Sequence, residues 1–191
     1  MLNEIGLFIV MVLSIVVLVT PGLLTLKTNI DLKNHLGIFY QKFVLLNNFE
    51  SIKVTCKDLN VNDLSIIQMC TALQVLGVIQ VIAVSFSFIL LLLSHTFKKK
   101  NNIRLINNII IILLATNTLC LVSMIIITTY YKRTMDNSIK ENLIKEIKVI
   151  LDQIKHELNF DYNYYILISS LIISVFIIIN FSFLVLKKKK L

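Results

Sequence analysis

Residues 69–93 read MCTALQVLGVIQVIAVSFSFILLLL, which is 25 consecutive residues without a charged side chain. A helix needs about 20 predominantly apolar residues to cross a hydrocarbon core of about 30 Å, so this stretch is long enough to cross a membrane. Three further uncharged stretches of similar length lie at residues 5–26, 105–129 and 164–186. The sequence therefore predicts four transmembrane helices.

The composition agrees with a membrane protein. Of the 191 residues, 57% are hydrophobic and 16% are charged, whereas a soluble domain usually has about 25% charged residues. We therefore expect an all-α membrane protein with one four-helix domain in contact with the lipid bilayer. The first stretch could instead be a signal peptide, but residues 1–4 carry an acid and no base, and no small-x-small cleavage site follows. A retained helix is the preferred interpretation.

The net charge of +8 is concentrated in two short segments. The segment 94–104 carries four basic residues and the tail 187–191 carries four lysines, and neither contains an acid. Short cytoplasmic loops are rich in Lys and Arg, which places this loop, the tail and both termini in the cytoplasm. The segments 27–68 and 130–163 are then extracellular, with the plasma membrane as the expected location. Topology accounts for the basic charge, and no nucleic-acid partner is indicated.

The first outer segment shows signs of β-structure. An Asn47-Asn48 turn signal separates two stretches, 38–46 and 49–57, and the second alternates apolar and polar residues. This pattern predicts a small extracellular β-hairpin or sheet. Cys56 and Cys70 lie on the same side of the membrane, where disulfides persist, and a bond between them would contribute roughly 3 kcal/mol. The alternative is two free thiols.

The second outer segment reads as an extracellular amphipathic helix. Ser138 and Glu141 have the spacing of a capping box, and apolar residues then recur every three or four positions as far as Leu158. We expect a helix of about 20 residues that acts either as a lid on the first outer segment or as a face for a partner protein.

Few polar residues lie deep in the predicted spans, and all of the strong ones are amides. We expect these amides to hydrogen-bond neighbouring helices, although a polar pore lining in a channel or transporter subunit is the alternative. The amides are Gln74, Gln80, Asn117 and Asn180.

The sequence shows none of the motifs that would indicate catalysis. The His, Cys and acidic residues show no metal-ligand spacing, and the sequence has no Gly-rich phosphate loop or nucleophile motif. We therefore predict a non-enzymatic protein without a cofactor, and no small-molecule ligand is indicated. Lys188 and Lys189 fit a dilysine signal, which offers a resident trafficking or assembly factor of the endoplasmic reticulum as an alternative.

The layout resembles the claudin-like four-helix superfamily of eukaryotes, and most of all the amastins and the Sur7-type surface proteins. Thr20-Pro21 at the outer end of the first helix looks like the Thr-Pro turn of amastins, and Cys56 and Cys70 occupy the place of the outer cysteine pair. The chain departs from the pattern in having no Trp and an interval of fourteen residues between these cysteines. The resemblance implies a left-handed bundle with a small outer sheet, acting by contacts with a membrane-protein partner or with its own copies.

Overall fold

A computed structural model describes residues 2–20, 24–28, 33–36, 41–45, 48–52, 64–94, 100–146 and 156–189. The helices are α1 (Leu2–Val19), α2 (Leu64–Ser94), α3 (Lys100–Glu146) and α4 (Tyr162–Lys189). The strands are β1 (Leu24–Thr28), β2 (Lys33–Leu36), β3 (Gln41–Leu45), β4 (Asn48–Ile52) and β5 (His156–Phe160).

The four helices form an antiparallel bundle in which each helix packs against two neighbours. Thr20, just after α1, contacts Asn163 near the start of α4, and Asn3 contacts Asn180 near the end of α4. These two contacts show that α1 and α4 run in opposite directions. The described strands lie at one end of the bundle, which is named the sheet end. The opposite end, where α2 ends and α3 begins, is named the far end.

Two apolar clusters fill the bundle. The far cluster contains Leu7, Val10, Val84, Leu91, Ile110, Leu114, Ile177 and Phe181. The sheet-side cluster contains Val17, Leu73, Leu121, Met124 and Leu167. All four helices contribute to each cluster, so burial of apolar side chains holds the bundle together along its length.

Among the described residues, three helices are long and apolar enough to cross a bilayer, over Ile67–Ser94, Leu105–Thr134 and Tyr162–Val185. Large apolar side chains such as Ile112 and Ile172 point out of the bundle, with 64% and 65% of their surface exposed. Long helices that are apolar on their outer surface are typical of a protein with a lipid boundary. The structure therefore fits a helical membrane protein.

The first helix was predicted over residues 5–26, and this prediction is wrong at the C-terminal end. Helix α1 ends at Val19, and residues 24–28 form strand β1. The reason is local, because Pro21 disfavours helical geometry in the residue before it, which is Thr20. The described apolar part of α1, Asn3–Val19, is shorter than the other three spans.

The strands form one antiparallel sheet in the order β4-β3-β2-β1-β5. Strand β3 lies within the predicted stretch 38–46, whereas β4 begins at Asn48, one residue before the predicted stretch 49–57, and Leu45 lies opposite Asn48. Strand β5 comes from the second outer segment and pairs with β1 along its whole length, from Leu24 opposite Phe160 to Thr28 opposite His156. The two segments therefore share one sheet.

The helix predicted from Ser138 is borne out over residues 138–146, but these residues continue α3 and do not begin a separate helix, and residues 147–155 lie outside the described residues. Helix α3 continues without interruption from Lys100 to Glu146, and Leu158 lies in β5. A capping-box pair has the same i,i+3 spacing inside a helix as at its start, so it did not mark a boundary here. The backbone partners offered by β1 account for the strand, because β-structure depends strongly on such tertiary context.

Candidate functional site

One buried polar side chain from each helix meets in the middle of the bundle. These four residues, named the polar layer, are Ser14 of α1, Gln80 of α2, Asn117 of α3 and Ser174 of α4, and each is at most 2% exposed. Gln80 Nε2 donates to Ser14 Oγ and, over 3.2 Å, to Asn117 Oδ1. Asn117 Nδ2 donates to Ser174 Oγ over 3.0 Å. Hydrogen bonds therefore connect all four helices at one level.

The polar layer lies between the far cluster and the sheet-side cluster. Ser14 follows Val10 by one helical turn and precedes Val17, and Ser174 precedes Ile177 in the same way. Ser14 also donates to the carbonyl oxygen of Val10 over 2.6 Å, which is a bond within α1. The layer is neutral, and both of its amides bind side chains of other helices. Its arrangement fixes the relative heights of the helices.

Two of the four predicted amides, Gln80 and Asn117, come together in the polar layer. Asn180 lies closer to the far end, where its Nδ2 donates to Asn3 Oδ1 over 2.7 Å and ties α4 to α1. Gln74 is half-buried on α2, six residues before Gln80, which is about 9 Å along the helix axis. It lies outside the polar layer.

The sequence reasoning missed Ser14, Ser174 and Asn163. The signal was helical spacing, since each lies on the face of its helix that carries the buried apolar residues. Asn163 is fully buried, and its Nδ2 donates to the carbonyl oxygen of Thr20 over 2.8 Å. Asn163 therefore binds the C-terminal end of α1 to the start of α4.

The sheet rests on the helix ends through apolar and aromatic contacts. Leu24 of β1 and Leu158 of β5 are buried against Tyr131 of α3. The Phe160 ring stacks on Tyr164 with centroids 3.9 Å apart, and Lys132 Nζ lies 4.3 Å from the Phe160 centroid. A cation over an aromatic face contributes about 0.5–1 kcal/mol at an exposed site. These contacts attach β5, and through it β1, to α3 and α4.

The cysteines and terminal lysines have different environments. Cys70 on α2 takes part in a disulfide, and Cys120 in α3 is a buried free thiol. Cys56 lies outside the described residues, so its pairing with Cys70 stays a prediction. Lys188 and Lys189 belong to the last turn of α4. Within the described ranges, no group of three His, Cys, Asp or Glu residues is placed to bind a metal ion.

Comparisons with known proteins give no family for this chain. No protein-family model matches it, and no curated protein matches it significantly.

Proposed function

We propose that this chain is a non-enzymatic four-pass protein of the cell surface that acts through protein–protein contacts made by its sheet. The observation that carries the proposal is the pairing of β1 with β5, because it joins the two outer segments into one surface. A claudin-like protein is expected to have such an outer sheet, and this supports the claudin-like assignment. The sheet is attached to the ends of α3 and α4 through β5.

The edges of the sheet favour contact with another protein. Its outermost described strands are β4 and β5. An edge strand has backbone N–H and C=O groups that point away from the sheet and can pair with a strand of another chain. The occupant is either a membrane-protein partner or a second copy of this chain.

The arrangement of the helix ends supports the proposed orientation. Helix α3 begins with Lys100 and α4 ends with Lys189, and both of these ends lie at the far end. The far end therefore includes Lys100 and the lysines that close α4, while the sheet lies at the other end of the bundle. With basic residues in the cytoplasm, the sheet is extracellular. Helix α1 then crosses the membrane as well and brings the number of crossings to four.

Site-specific photo-crosslinking in the full chain tests the contact function. A photoreactive residue at Ser51, in edge strand β4, is expected to give crosslinks to protein, either to a partner in cells or to a second copy in purified vesicles. The matched control is Ile172, which is 65% exposed on the lipid-facing side of α4 and should crosslink to lipid. Absence of protein crosslinks from position 51 in both settings would contradict the proposal.

The polar layer is the feature that favours a second candidate, a channel or transporter subunit. Its amides, however, are hydrogen-bonded to other side chains of the layer, which favours a packing role. Flux through liposomes that contain the chain separates the two candidates. Flux that is lost in Gln80→Ala and Asn117→Ala would support the channel, and no flux in the unsubstituted chain would exclude it.

Retention in the endoplasmic reticulum is the alternative to the plasma membrane. It rests on Lys188 and Lys189 as a dilysine signal. Replacing both by Ser should leave the chain at the plasma membrane if the surface assignment is right. Movement from the endoplasmic reticulum to the surface in the double variant would support the retrieval signal instead.

A further inference from the structure

Large apolar side chains form one row along the outer surface of each of the helices α2, α3 and α4. Members of a row are seven residues apart, which is nearly two helical turns, so each row follows one face of its helix. Each member is between 50% and 67% exposed. The rows are Val75, Ile82 and Ile89 on α2, Leu105, Ile112, Leu119 and Ile126 on α3, and Ile172 and Ile179 on α4. These rows face the hydrocarbon of the bilayer.

Toward the sheet end all three rows change character. The next member, seven residues further on, is Gln68 on α2, Arg133 on α3 and Tyr165 on α4, and all three side chains are exposed. Tyr130 lies on the outside of α3, just under one turn before Arg133, and is 60% exposed. These four residues are named the boundary band. The outer surface therefore passes from aliphatic side chains to side chains with polar ends.

A contact between α3 and α4 places the two tyrosines of the boundary band at nearly one height. Thr129 Oγ1 lies 3.2 Å from Tyr164 Oη, so these two residues are close to level. Tyr130 follows Thr129 on a helix that runs toward the sheet, and Tyr165 follows Tyr164 on a helix that runs away from it. The two exposed rings therefore start about 3 Å apart along the bundle axis.

The polar layer places Gln68 at the same height. Gln80 of α2 donates to Asn117 of α3, so these two residues are close to level. Because α2 and α3 are antiparallel, going twelve residues toward the sheet on each helix leads to Gln68 and Thr129. Arg133 lies about 6 Å further out than Thr129. The change from aliphatic to polar side chains therefore falls at one level on three helices.

The boundary band matches the polar part of a phospholipid in order of depth. A tyrosine has an apolar ring and a polar hydroxyl, and it is enriched where hydrocarbon meets water. Phenol hydroxyls and amides hydrogen-bond carbonyl oxygens such as those of the lipid esters. A guanidinium group binds phosphate through two parallel hydrogen bonds. Arg133 lies further from the hydrocarbon than the tyrosines, as the phosphate lies further out than the esters.

We propose that the boundary band binds the phospholipid head groups of the leaflet at the sheet end. Tyr130 and Tyr165 place their rings in the outermost hydrocarbon, and Arg133 binds phosphate. The base of the sheet lies at the same level, because Phe160 at the end of β5 stacks on Tyr164 with centroids 3.9 Å apart. The sheet therefore rests on the head groups beside α3 and α4. The proposal does not depend on what the sheet binds or on which side of the membrane it lies.

Depth measurements test the level of the boundary band. The chain has no Trp, so each of four variants carries a single fluorescent probe. Tyr130→Trp and Tyr165→Trp lie in the boundary band, and Leu119→Trp and Ile172→Trp are the matched controls in the apolar rows of the same two helices. Position 119 is about 16 Å from position 130 along α3, which is close to half of a hydrocarbon core of about 30 Å.

The full chain is reconstituted in phosphatidylcholine vesicles that carry bromine either near the head groups or near the ends of the acyl chains. The probes at 130 and 165 should be quenched more by the shallow bromine, and those at 119 and 172 more by the deep bromine. Two pairs on two helices keep the result independent of the folding of any one variant. Equal depths within both pairs, or probes at 130 and 165 that neither lipid quenches, overturn the proposal.

Solid-state NMR tests the contact of Arg133 with phosphate. The chain contains two arginines, Arg104 and Arg133, so Arg104→Lys leaves a single guanidinium group. In phosphatidylcholine vesicles and phosphate-free buffer, the lipid phosphorus should dephase the labelled guanidinium carbon of Arg133. Micelles of a detergent without phosphate, with inorganic phosphate added, are the control and should give no dephasing. A carbon that is not dephased in vesicles, or one dephased equally by inorganic phosphate in micelles, overturns head-group binding by Arg133.

Discussion

Asn117 connects its own helix to two others in the polar layer, as Gln80 also does. From α3 its side chain accepts a hydrogen bond from Gln80 of α2 and donates one to Ser174 of α4. Asn117→Leu keeps a similar volume but removes both bonds, and we expect it to lower the free energy of unfolding by about 1–2 kcal/mol. Unfolding in mixed micelles measures this change.

The neighbouring Thr116 provides the matched control for Asn117. Thr116 Oγ1 donates to the carbonyl oxygen of Ile112 in its own helix, over 3.0 Å. Thr116→Val should therefore change the stability by less than about 0.5 kcal/mol, since no bond between helices is lost. If Asn117→Leu is as stable as the unsubstituted chain, the polar layer does not stabilise the bundle.

Gly77 allows α2 to approach α1 closely. A Cβ at this position would lie 2.5 Å from Leu18 Cδ2 and 3.6 Å from Met124 Cε. Because Leu18 can rotate, Gly77→Ala should cost less than about 1 kcal/mol, whereas the branched side chain of Gly77→Val should cost about 1–3 kcal/mol by overpacking. The same unfolding assay measures both variants, and a Val variant no less stable than the Ala variant would contradict this account.

At the scale of elements, apolar length was sufficient to predict α2, α3 and α4 as membrane helices. The predicted stretches 69–93, 105–129 and 164–186 overlap the observed spans Ile67–Ser94, Leu105–Thr134 and Tyr162–Val185, because an uncharged run of this length is typical of a membrane helix. The end of α1 was missed, although Pro21 was a local signal for it. Strand β5 could not be predicted from its own residues, since it depends on pairing with β1, which is distant in the sequence.

The same division applies to the polar residues. Amides stand out in an apolar helix, so Gln80 and Asn117 could be selected from the sequence, whereas their partners Ser14 and Ser174 were indicated only by their helical spacing from apolar residues. Serine also occurs at exposed positions, such as Ser169 of α4, and the packing of the bundle shows which serines are buried.

The uninterrupted course of α3 gives a prediction at the scale of an element. The substitution Ile139→Pro lies well inside α3. It should lower the free energy of unfolding by about 3 kcal/mol, because proline removes a backbone hydrogen bond and clashes with the preceding turn. A separate helix beginning after Ser138 would accept Pro at this first position. Unfolding and amide hydrogen exchange of Ile139→Pro, with Ile139→Ala as the control, distinguish the two. An Ile139→Pro variant as stable as Ile139→Ala would contradict a continuous helix.

At the scale of the whole molecule, the sheet and the polar layer both join the first half of the chain to the second, in addition to the apolar clusters. In the sheet, β1 from the first half pairs with β5 from the second. In the polar layer, Gln80 of the first half donates to Asn117 of the second. The sheet and the polar layer lie at different heights, so each restrains rotation and sliding of the halves independently of the other.

Division of the chain between α2 and α3 tests this account of how the halves are joined. Fragments 1–97 and 98–191, expressed together in one membrane, should copurify, because the contacts between halves do not require a covalent connection. Replacing Gln80 and Asn117 by Leu together removes the bond between α2 and α3, and should reduce recovery of the complex several-fold. Thr116→Val in the second fragment is the control and should leave recovery unchanged. Fragments that purify separately would show that the connection through residues 95–99, and not the sheet and the polar layer, holds the bundle together.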